Sequence, residues 1–248
     1  NLVLTLIYPL ANHPPALLVT GGAPRKCVKS KTFDTALKDM GLIAITQLPG
    51  KDILYTYFLN LIALMRVLPR NSETVREFAW RILKSIPQQY SIIFLVCDSY
   101  KDHSIKNKER LERGTGMKYV LKSPGMQMPS DFSTFVKNGE NKTILLNLIE
   151  QVYIEDYEKL RDNIVYFPNA HHCRKISSGG VYYFNDLLSD NEEADTKLEA
   201  LIKSYECKID EKLLVRSPSG DVDIIVFFMQ HCSGSNILVD TGHGIQER

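Results

Sequence analysis

Residues 91–97, SIIFLVC, form a continuous apolar run that is rich in β-branched side chains and is followed directly by Asp98. A run of this length with no polar alternation is typical of a strand that is buried on both faces, as in a parallel sheet. The sequence therefore predicts a central strand here, with an acidic residue at its carboxyl end.

The segments around this run alternate between strand and helix patterns. Further strands are predicted at 53–59, 164–167, 213–216 and 224–229. Helices are predicted after 59 through 67 and at 72–86, 105–113, 141–160 and 191–205. Apolar strands separated by helices indicate an α/β fold, with a mostly parallel central sheet flanked by helices in a Rossmann-like three-layer arrangement.

The composition excludes several classes of protein. The chain has 248 residues, of which 44% are hydrophobic, so it can form a sizeable core. The formal net charge is only +1, which excludes a polycation but allows a basic face beside an acidic site. Five widely spaced cysteines without a CxxC favour an intracellular protein of the nucleus or cytoplasm. The longest apolar run, 53–68, is too short and too polar for a membrane span, so no membrane partner is expected.

Two regions are expected along the chain. Residues 1–50 are punctuated by proline and glycine and are interpreted as an irregular N-terminal extension. Residues 51–248 are interpreted as one α/β domain. The chain begins with Asn1 and ends at Arg248, and we interpret it as a piece of a longer protein that is truncated at its C-terminus.

Acidic residues follow the predicted strands or open a predicted helix. They are Asp98, Glu192, Glu193, Asp195, Asp221 and Asp223. In open α/β sheets, ligands bind beyond the carboxyl ends of the strands. Carboxylates that converge there repel one another unless a cation lies among them, and hard oxygen ligands favour Mg²⁺ or Mn²⁺.

Each of these acids also has a purely structural interpretation. Asp98 is placed to cap a helix, and Asp221 is an ordinary turn residue. Glu192 and Glu193 oppose the dipole of the helix that they open. Glu192 competes with Glu193 as a ligand, because Glu192 and Asp195 share a helix face.

The charges are divided unevenly along the chain. Residues 101–122 hold seven bases and three acids, a local net charge of +4, whereas residues 186–196 hold five acids and no base. A basic helix beside an acidic centre suits a phosphodiester substrate, and a solvated helix explains the basic segment equally well.

Three blocks of the sequence resemble a known superfamily. They are CDSYKDHSIKNKERLERG (97–114), NEEADTKLEA (191–200) and LLVRSPSGDVDIIVFF (213–228). Together they resemble an uncharacterised, often transposon-associated group of metazoan proteins, which is similar to the PIN and flap-endonuclease-like nucleases. The resemblance covers about residues 52–245.

The resemblance implies a set of site residues. The metal ligands would be Asp98, Glu193, Asp195, Asp221 and Asp223, of which Asp98, Asp221 and Asp223 are the catalytic residues. The phosphate contacts would be Lys106, Arg110 and Arg113. The implied cofactor is Mg²⁺ or Mn²⁺, and the implied partner is DNA or RNA.

Two departures from that family weaken the implied site. Asn60 stands where such nucleases carry an aspartate at the end of the first strand, and it brings no charge. A later acidic ligand lies beyond a Gly-His-Gly stretch in the family, whereas this chain stops soon after residues 242–244. The sequence therefore predicts a PIN-like nuclease that hydrolyses phosphodiester bonds, or a degenerate PIN-like fold that serves as a binding or scaffold module.

Another cluster of the sequence contains residue types that bind metals. His171, His172 and Cys173 are adjacent, but no second group of ligands stands at a suitable spacing from them. They are therefore interpreted as a chance cluster.

Overall fold

The structure is a computed structural model, and it describes eleven segments of the chain. These are residues 43–45, 54–68, 72–87, 90–99, 116–168, 172–184, 187, 191–204, 211–216, 237–240 and 245–247. All of them belong to the unit Ile43–Arg248. Residues 43–45 form a strand of the sheet, and the rest of the predicted extension 1–50 lies outside the described residues.

The strands described form one sheet. They are β1 (Ile43–Ile45), β2 (Leu54–Asn60), β3 (Tyr90–Val96), β4 (Ile164–Pro168), β5 (Cys173–Ser177), β6 (Gly180–Tyr183), β7 (Glu211–Arg216), β8 (Ile237–Asp240) and β9 (Ile245–Glu247). Their order across the sheet is β1-β9-β8-β7-β2-β3-β4-β5-β6. The chain thus folds as an α/β protein with an open, mixed sheet.

The parallel and antiparallel pairings occupy different parts of this sheet. The central strands β8, β7, β2, β3 and β4 are parallel to one another. At the two sides, β9 and β1 and the β5–β6 hairpin add antiparallel pairs. The predicted mostly parallel sheet is therefore confirmed only for its centre, since the strands at both margins pair antiparallel.

The order of the strands reverses at β2. The next two parallel strands of the chain, β3 and β4, lie on one side of it, and the last two, β7 and β8, lie on the other. In open α/β sheets a crevice forms at such a reversal, beyond the carboxyl ends of the strands. The fold thus marks the ends of β2 and β7 as the natural place for a ligand.

The helices described connect the strands. They are α1 (Leu61–Val67), α2 (Val75–Lys84), α3 (Phe132–Phe135), α4 (Gly139–Glu155), a 3₁₀ turn (Tyr157–Leu160) and α5 (Ala194–Ser204). A capping box fixes the start of α2, since the Thr74 side chain accepts from the backbone of Glu77 and the Glu77 side chain accepts from that of Thr74. No helix within the described residues is both long and apolar enough to cross a membrane.

Strand β3 is buried on both of its faces. Ile93 and Leu95 belong to the main hydrophobic cluster, which also contains residues of α2 and α4. Phe94 and Val96, which alternate with them, are fully buried on the opposite face. α5 contacts β2 and β3. This burial confirms what the continuous apolar run predicts.

α4 packs against α2 and ends earlier than the sequence predicts. Tyr153 of α4 is fully buried, and its hydroxyl donates a hydrogen bond of 2.8 Å to the carbonyl of Ala79 in α2. The helix ends at Glu155, and a separate 3₁₀ turn follows, so the predicted single helix 141–160 is wrong in its last turn.

Five of the described strands are missing from the sequence prediction: β1, β5, β6, β8 and β9. They are short, and the hairpin alternates polar with apolar residues only weakly. The predicted helix 105–113 and the predicted strand 224–229 lie outside the described residues.

Candidate functional site

The candidate site lies at the carboxyl ends of β2 and β3. Asn60 ends β2 and is paired in register with Val96, the last residue of β3. Asp98 follows Val96 by two residues and is half-buried. Because the two strands are parallel neighbours, Asn60 and Asp98 reach the same edge of the sheet.

Asp98 is joined directly to the beginning of α5. Its Oδ1 accepts a hydrogen bond of 2.9 Å from the backbone N–H of Ala194. The backbone N–H of the next residue, Ser99, donates a bond of 2.7 Å to the carbonyl of Glu192. Two hydrogen bonds therefore connect the end of β3 to the residues that open α5, and they bring Glu192 and Glu193 to the same edge as Asp98.

The bond from Ala194 has a simple electrostatic reason. The first N–H groups of a helix have no acceptor inside the helix, and a carboxylate there also opposes the helix dipole. Asp98 therefore caps α5, which begins 96 residues later. The helix predicted at 105–113 lies outside the described residues.

Lys197 is a buried cation at the same place. It lies in the first turn of α5, and only 1% of the residue is exposed. Its Nζ donates to the carbonyl of Cys97 at 2.8 Å and to the Ser99 hydroxyl at 2.6 Å. A buried ammonium group is unfavourable unless it is hydrogen-bonded in this way. The acidic edge of the sheet therefore contains its own positive charge.

Sequence reasoning missed Lys197, although a signal for it exists. Ala194, Leu198 and Leu201 define the buried face of α5, and the helical period places residue 197 on that face. A lysine at such a position needs polar partners in the interior.

Cys97 does not supply a nucleophile. Burial raises the pKa of its thiol to about 12, although the nearby Lys197 works in the opposite direction. Burial likewise raises the pKa of Cys173 to about 12. Because thiolates are the reactive form, both groups are inert at neutral pH.

A second polar cluster joins α4 to β5. Glu150 is 3% exposed, and its Oε1 lies 3.1 Å from Nε2 of His172 and 3.0 Å from Nη1 of Arg174. The Glu150 carboxylate holds His172 in place. His171 lies outside the described residues, so the interpretation of 171–173 as a chance cluster stays a prediction.

The remaining predicted site residues are largely outside the described part of the chain. Asp195 is the second residue of α5, but its side chain is not described. The others lie wholly outside the described residues: Asp221, Asp223, Lys106, Arg110 and Arg113. Among the residues that are described, no three histidine, cysteine, aspartate or glutamate side chains are grouped so that they could hold a metal ion.

Comparison with protein-family models, with curated proteins and with solved structures finds no match to this chain.

Proposed function

We propose that the chain is a PIN-like α/β domain that binds nucleic acid and hydrolyses phosphodiester bonds with Mg²⁺ or Mn²⁺. The observation that carries this proposal is the hydrogen bond from Ala194 to Asp98. This bond joins the carboxyl end of a central parallel strand to the start of α5, which Glu192 and Glu193 directly precede. The sequence resemblance implies acids in this order along the chain.

The topology supports the same assignment. β2 and β7 are adjacent and parallel, and the strand order reverses between them. Asn60 ends β2 beside this reversal, and Asp221 and Asp223 follow β7 along the sequence. Ligand crevices of doubly wound sheets form at this kind of position.

In the proposed chemistry the acidic residues bind the metal and the basic residues bind the phosphate backbone. A divalent cation bound here would polarise a phosphate oxygen and lower the pKa of an attacking water. Asp98 and Glu193 would hold the cation, with Asp195, Asp221 and Asp223 as the further ligands that the resemblance implies. The bond from Ala194 is compatible with this role, since a carboxylate has about four acceptor positions. Lys106, Arg110 and Arg113 bind the phosphate backbone.

A second candidate function is a PIN-like binding or scaffold module without hydrolytic activity. Two observations favour it. Asn60 contributes no charge at the end of β2, and the buried Lys197 ammonium compensates part of the negative charge beside Asp98. Both reduce the attraction of this edge for a divalent cation.

The test is a cleavage assay on end-labelled single-stranded and flap-containing DNA and RNA, with Mg²⁺, Mn²⁺ or EDTA. The informative variant is Asp98→Asn, which removes the negative charge but retains an oxygen that accepts from Ala194. The matched control is Asp162→Asn, because Asp162 is exposed and lies at the opposite, amino end of β4.

The proposal predicts metal-dependent cleavage that Asp98→Asn reduces at least about 100-fold and that Asp162→Asn leaves unchanged. Binding without cleavage by the wild-type protein supports the second candidate instead. Cleavage that is equal in the wild type and in Asp98→Asn shows that Asp98 is not part of a hydrolytic centre.

A further inference from the structure

Exposed aromatic side chains are concentrated at the end of β6. Five large hydrophobic residues in the described part of the chain are exposed, and three of them are consecutive: Tyr182 (53%), Tyr183 (66%) and Phe184 (38%). Exposed apolar surface that is gathered in one place, rather than scattered, is typical of a protein–protein contact. The end of β6 is therefore a candidate interaction surface.

The backbone of β6 can accept a further strand. Among the described strands β6 lies at one end of the sheet, paired only with β5. The N–H of Phe184 donates to the Cys173 carbonyl at 2.8 Å, so the backbone groups of residue 184 face β5. Backbone groups alternate in direction along an antiparallel strand, so those of Val181 and Tyr183 face away from β5. Such groups at the end of a sheet are a template for another strand.

We propose that β6 pairs with β6 of a second copy of this chain, antiparallel and about a two-fold axis at Tyr182. In this register Val181 lies opposite Tyr183 of the second copy, and each such pair exchanges two backbone hydrogen bonds. Tyr182 lies opposite Tyr182 of the second copy, between these pairs. The pairing joins two sheets into one, and it goes beyond the proposed function, on which it does not depend.

The charges of the hairpin permit this self-pairing. The sequence of β6, GVYY, contains no charged residue, so the two-fold axis brings no like charges opposite one another. Arg174 and Lys175 belong to β5, and three strand spacings, about 14 Å, would separate that strand from its copy. This separation exceeds the Debye length of about 8 Å at physiological salt, so the repulsion between the two β5 strands is largely screened.

The side chains of β6 also complement themselves. Val181 opposite Tyr183 is a β-branched–aromatic pair, and Tyr182 opposite Tyr182 is an aromatic pair, and pairs of both kinds stabilise antiparallel strands. The exposed parts of the three aromatic side chains amount to about 300 Å² per copy. Contacts that bury less than about 1,200 Å² in total are usually weak and transient. We therefore expect a dimer with a micromolar Kd.

An unrelated extended peptide is the main competitor for this edge, and the observations favour it less. Any extended peptide uses the same backbone groups, and specificity then comes from the side chains. β6 offers a peptide no charged side chain for recognition. Its own copy, in contrast, matches it both in the spacing of the outward backbone groups and in the side chains that face each other.

The test is analytical ultracentrifugation of the full chain over about 1 to 100 µM. Tyr183→Pro removes an N–H that faces away from β5, and Tyr183→Lys places a charge in the contact, so both disfavour the added strand and leave the hairpin paired. The matched control is Val120→Lys, because Val120 is 63% exposed and lies outside the sheet. Circular dichroism confirms that each variant is folded.

A second measurement fixes the register. Residues that face each other in a non-hydrogen-bonded antiparallel pair are close enough for a disulfide. Tyr182→Cys is therefore expected to form a dimer linked through residue 182 of both copies, which peptide mass spectrometry identifies. Ser178→Cys, in the exposed turn of the hairpin, is the control and is expected to form no such link.

The wild-type chain is expected to dimerise, both Tyr183 variants are expected to raise the dimer Kd at least about tenfold, and Val120→Lys is expected to leave it unchanged. A wild-type chain that stays monomeric up to about 100 µM overturns the inference and leaves the edge to a different partner. A dimer that is insensitive to both Tyr183 variants, or a Tyr182→Cys chain without the 182–182 link, also overturns it. None of these outcomes depends on whether the chain cleaves nucleic acid.

Discussion

The carboxylate of Asp98 accepts a hydrogen bond of 2.9 Å from the backbone N–H of Ala194, which lies 96 residues later in the sequence. This bond, together with the contacts of Lys197 to Cys97 and Ser99, makes the end of β3 and the start of α5 one structural unit. The same residues therefore serve stability and stand at the edge of the sheet where ligands of α/β proteins bind.

The capping role of Asp98 predicts different effects for two substitutions. Asp98→Ala is expected to lower the free energy of unfolding by about 0.5–2 kcal/mol, because the Ala194 N–H loses its acceptor. Asp98→Asn is expected to lower the free energy of unfolding less, because its side-chain carbonyl oxygen still accepts a hydrogen bond from the Ala194 N–H. Urea denaturation measures both. Equal losses for the two variants contradict the capping role.

The buried Lys197 predicts a loss of stability on replacement by an apolar residue of similar length. Lys197→Met leaves the Cys97 carbonyl and the Ser99 hydroxyl without their donor, which costs about 1–3 kcal/mol in free energy of unfolding. The control is Lys159→Met, since the Lys159–Asp156 pair is exposed on its lysine side and such surface pairs contribute about 0–1 kcal/mol. Guanidinium denaturation followed by circular dichroism compares them, and a variant as stable as the wild type refutes the prediction.

The buried thiol of Cys97 predicts a loss of stability in alkali. An unfolded thiol ionises near pH 9.0, whereas burial raises the pKa of Cys97 to about 12 in the folded chain. The stabilising contribution is therefore complete below pH 9 and declines as the pH rises toward 12. Denaturation midpoints of the wild type and Cys97→Ala are expected to converge over this range.

The low reactivity of the same thiol offers an independent check. Iodoacetamide at neutral pH is expected to leave Cys97 unmodified in the folded protein and to modify it after unfolding, as peptide mass spectrometry reports. Rapid modification of the native protein is inconsistent with a buried, protonated thiol.

The Asp156 carboxylate connects α2 to the end of α4 by hydrogen bonds, and the stability of the protein is expected to depend on its charge. Its Oδ2 accepts from the Trp80 indole at 3.0 Å and from Arg76 at 2.6 Å. Burial works to raise the pKa of Asp156, but these hydrogen bonds outweigh it and hold the pKa below the usual value. The stabilisation is therefore present above about pH 4 and is lost as the pH falls through the folded pKa.

Replacement of Asp156 tests this linkage. Asp156→Ala is expected to lower the free energy of unfolding by about 1–3 kcal/mol and to shift the emission of Trp80, the single tryptophan. Glu158→Ala, at an exposed position of the following 3₁₀ turn, serves as the control and is expected to change stability by less than about 0.5 kcal/mol. An unchanged Trp80 emission in Asp156→Ala contradicts the linkage.

The sequence predicts the centre of the sheet better than its margins. β3 and α2 are predictable, because a fully buried strand has a continuous apolar run and an amphipathic helix has a helical period. The β5–β6 hairpin is not, because its short strands alternate too weakly to be distinguished from loops. Asp98 is predictable as an acid at a strand end, but its partner Ala194 is not, since no local pattern records a contact between distant segments.

The sequence by itself determined the class of the fold, through the alternation of apolar strands with amphipathic helices, and the position of Asp98 at the end of β3. Only the tertiary structure decided the strand order and the cap that Asp98 provides to α5. Only the tertiary structure also revealed that Lys197 lies buried at the same edge. The physical reason is that periodicity reports which face of an element is buried, whereas hydrogen bonds and charge compensation depend on which elements become neighbours.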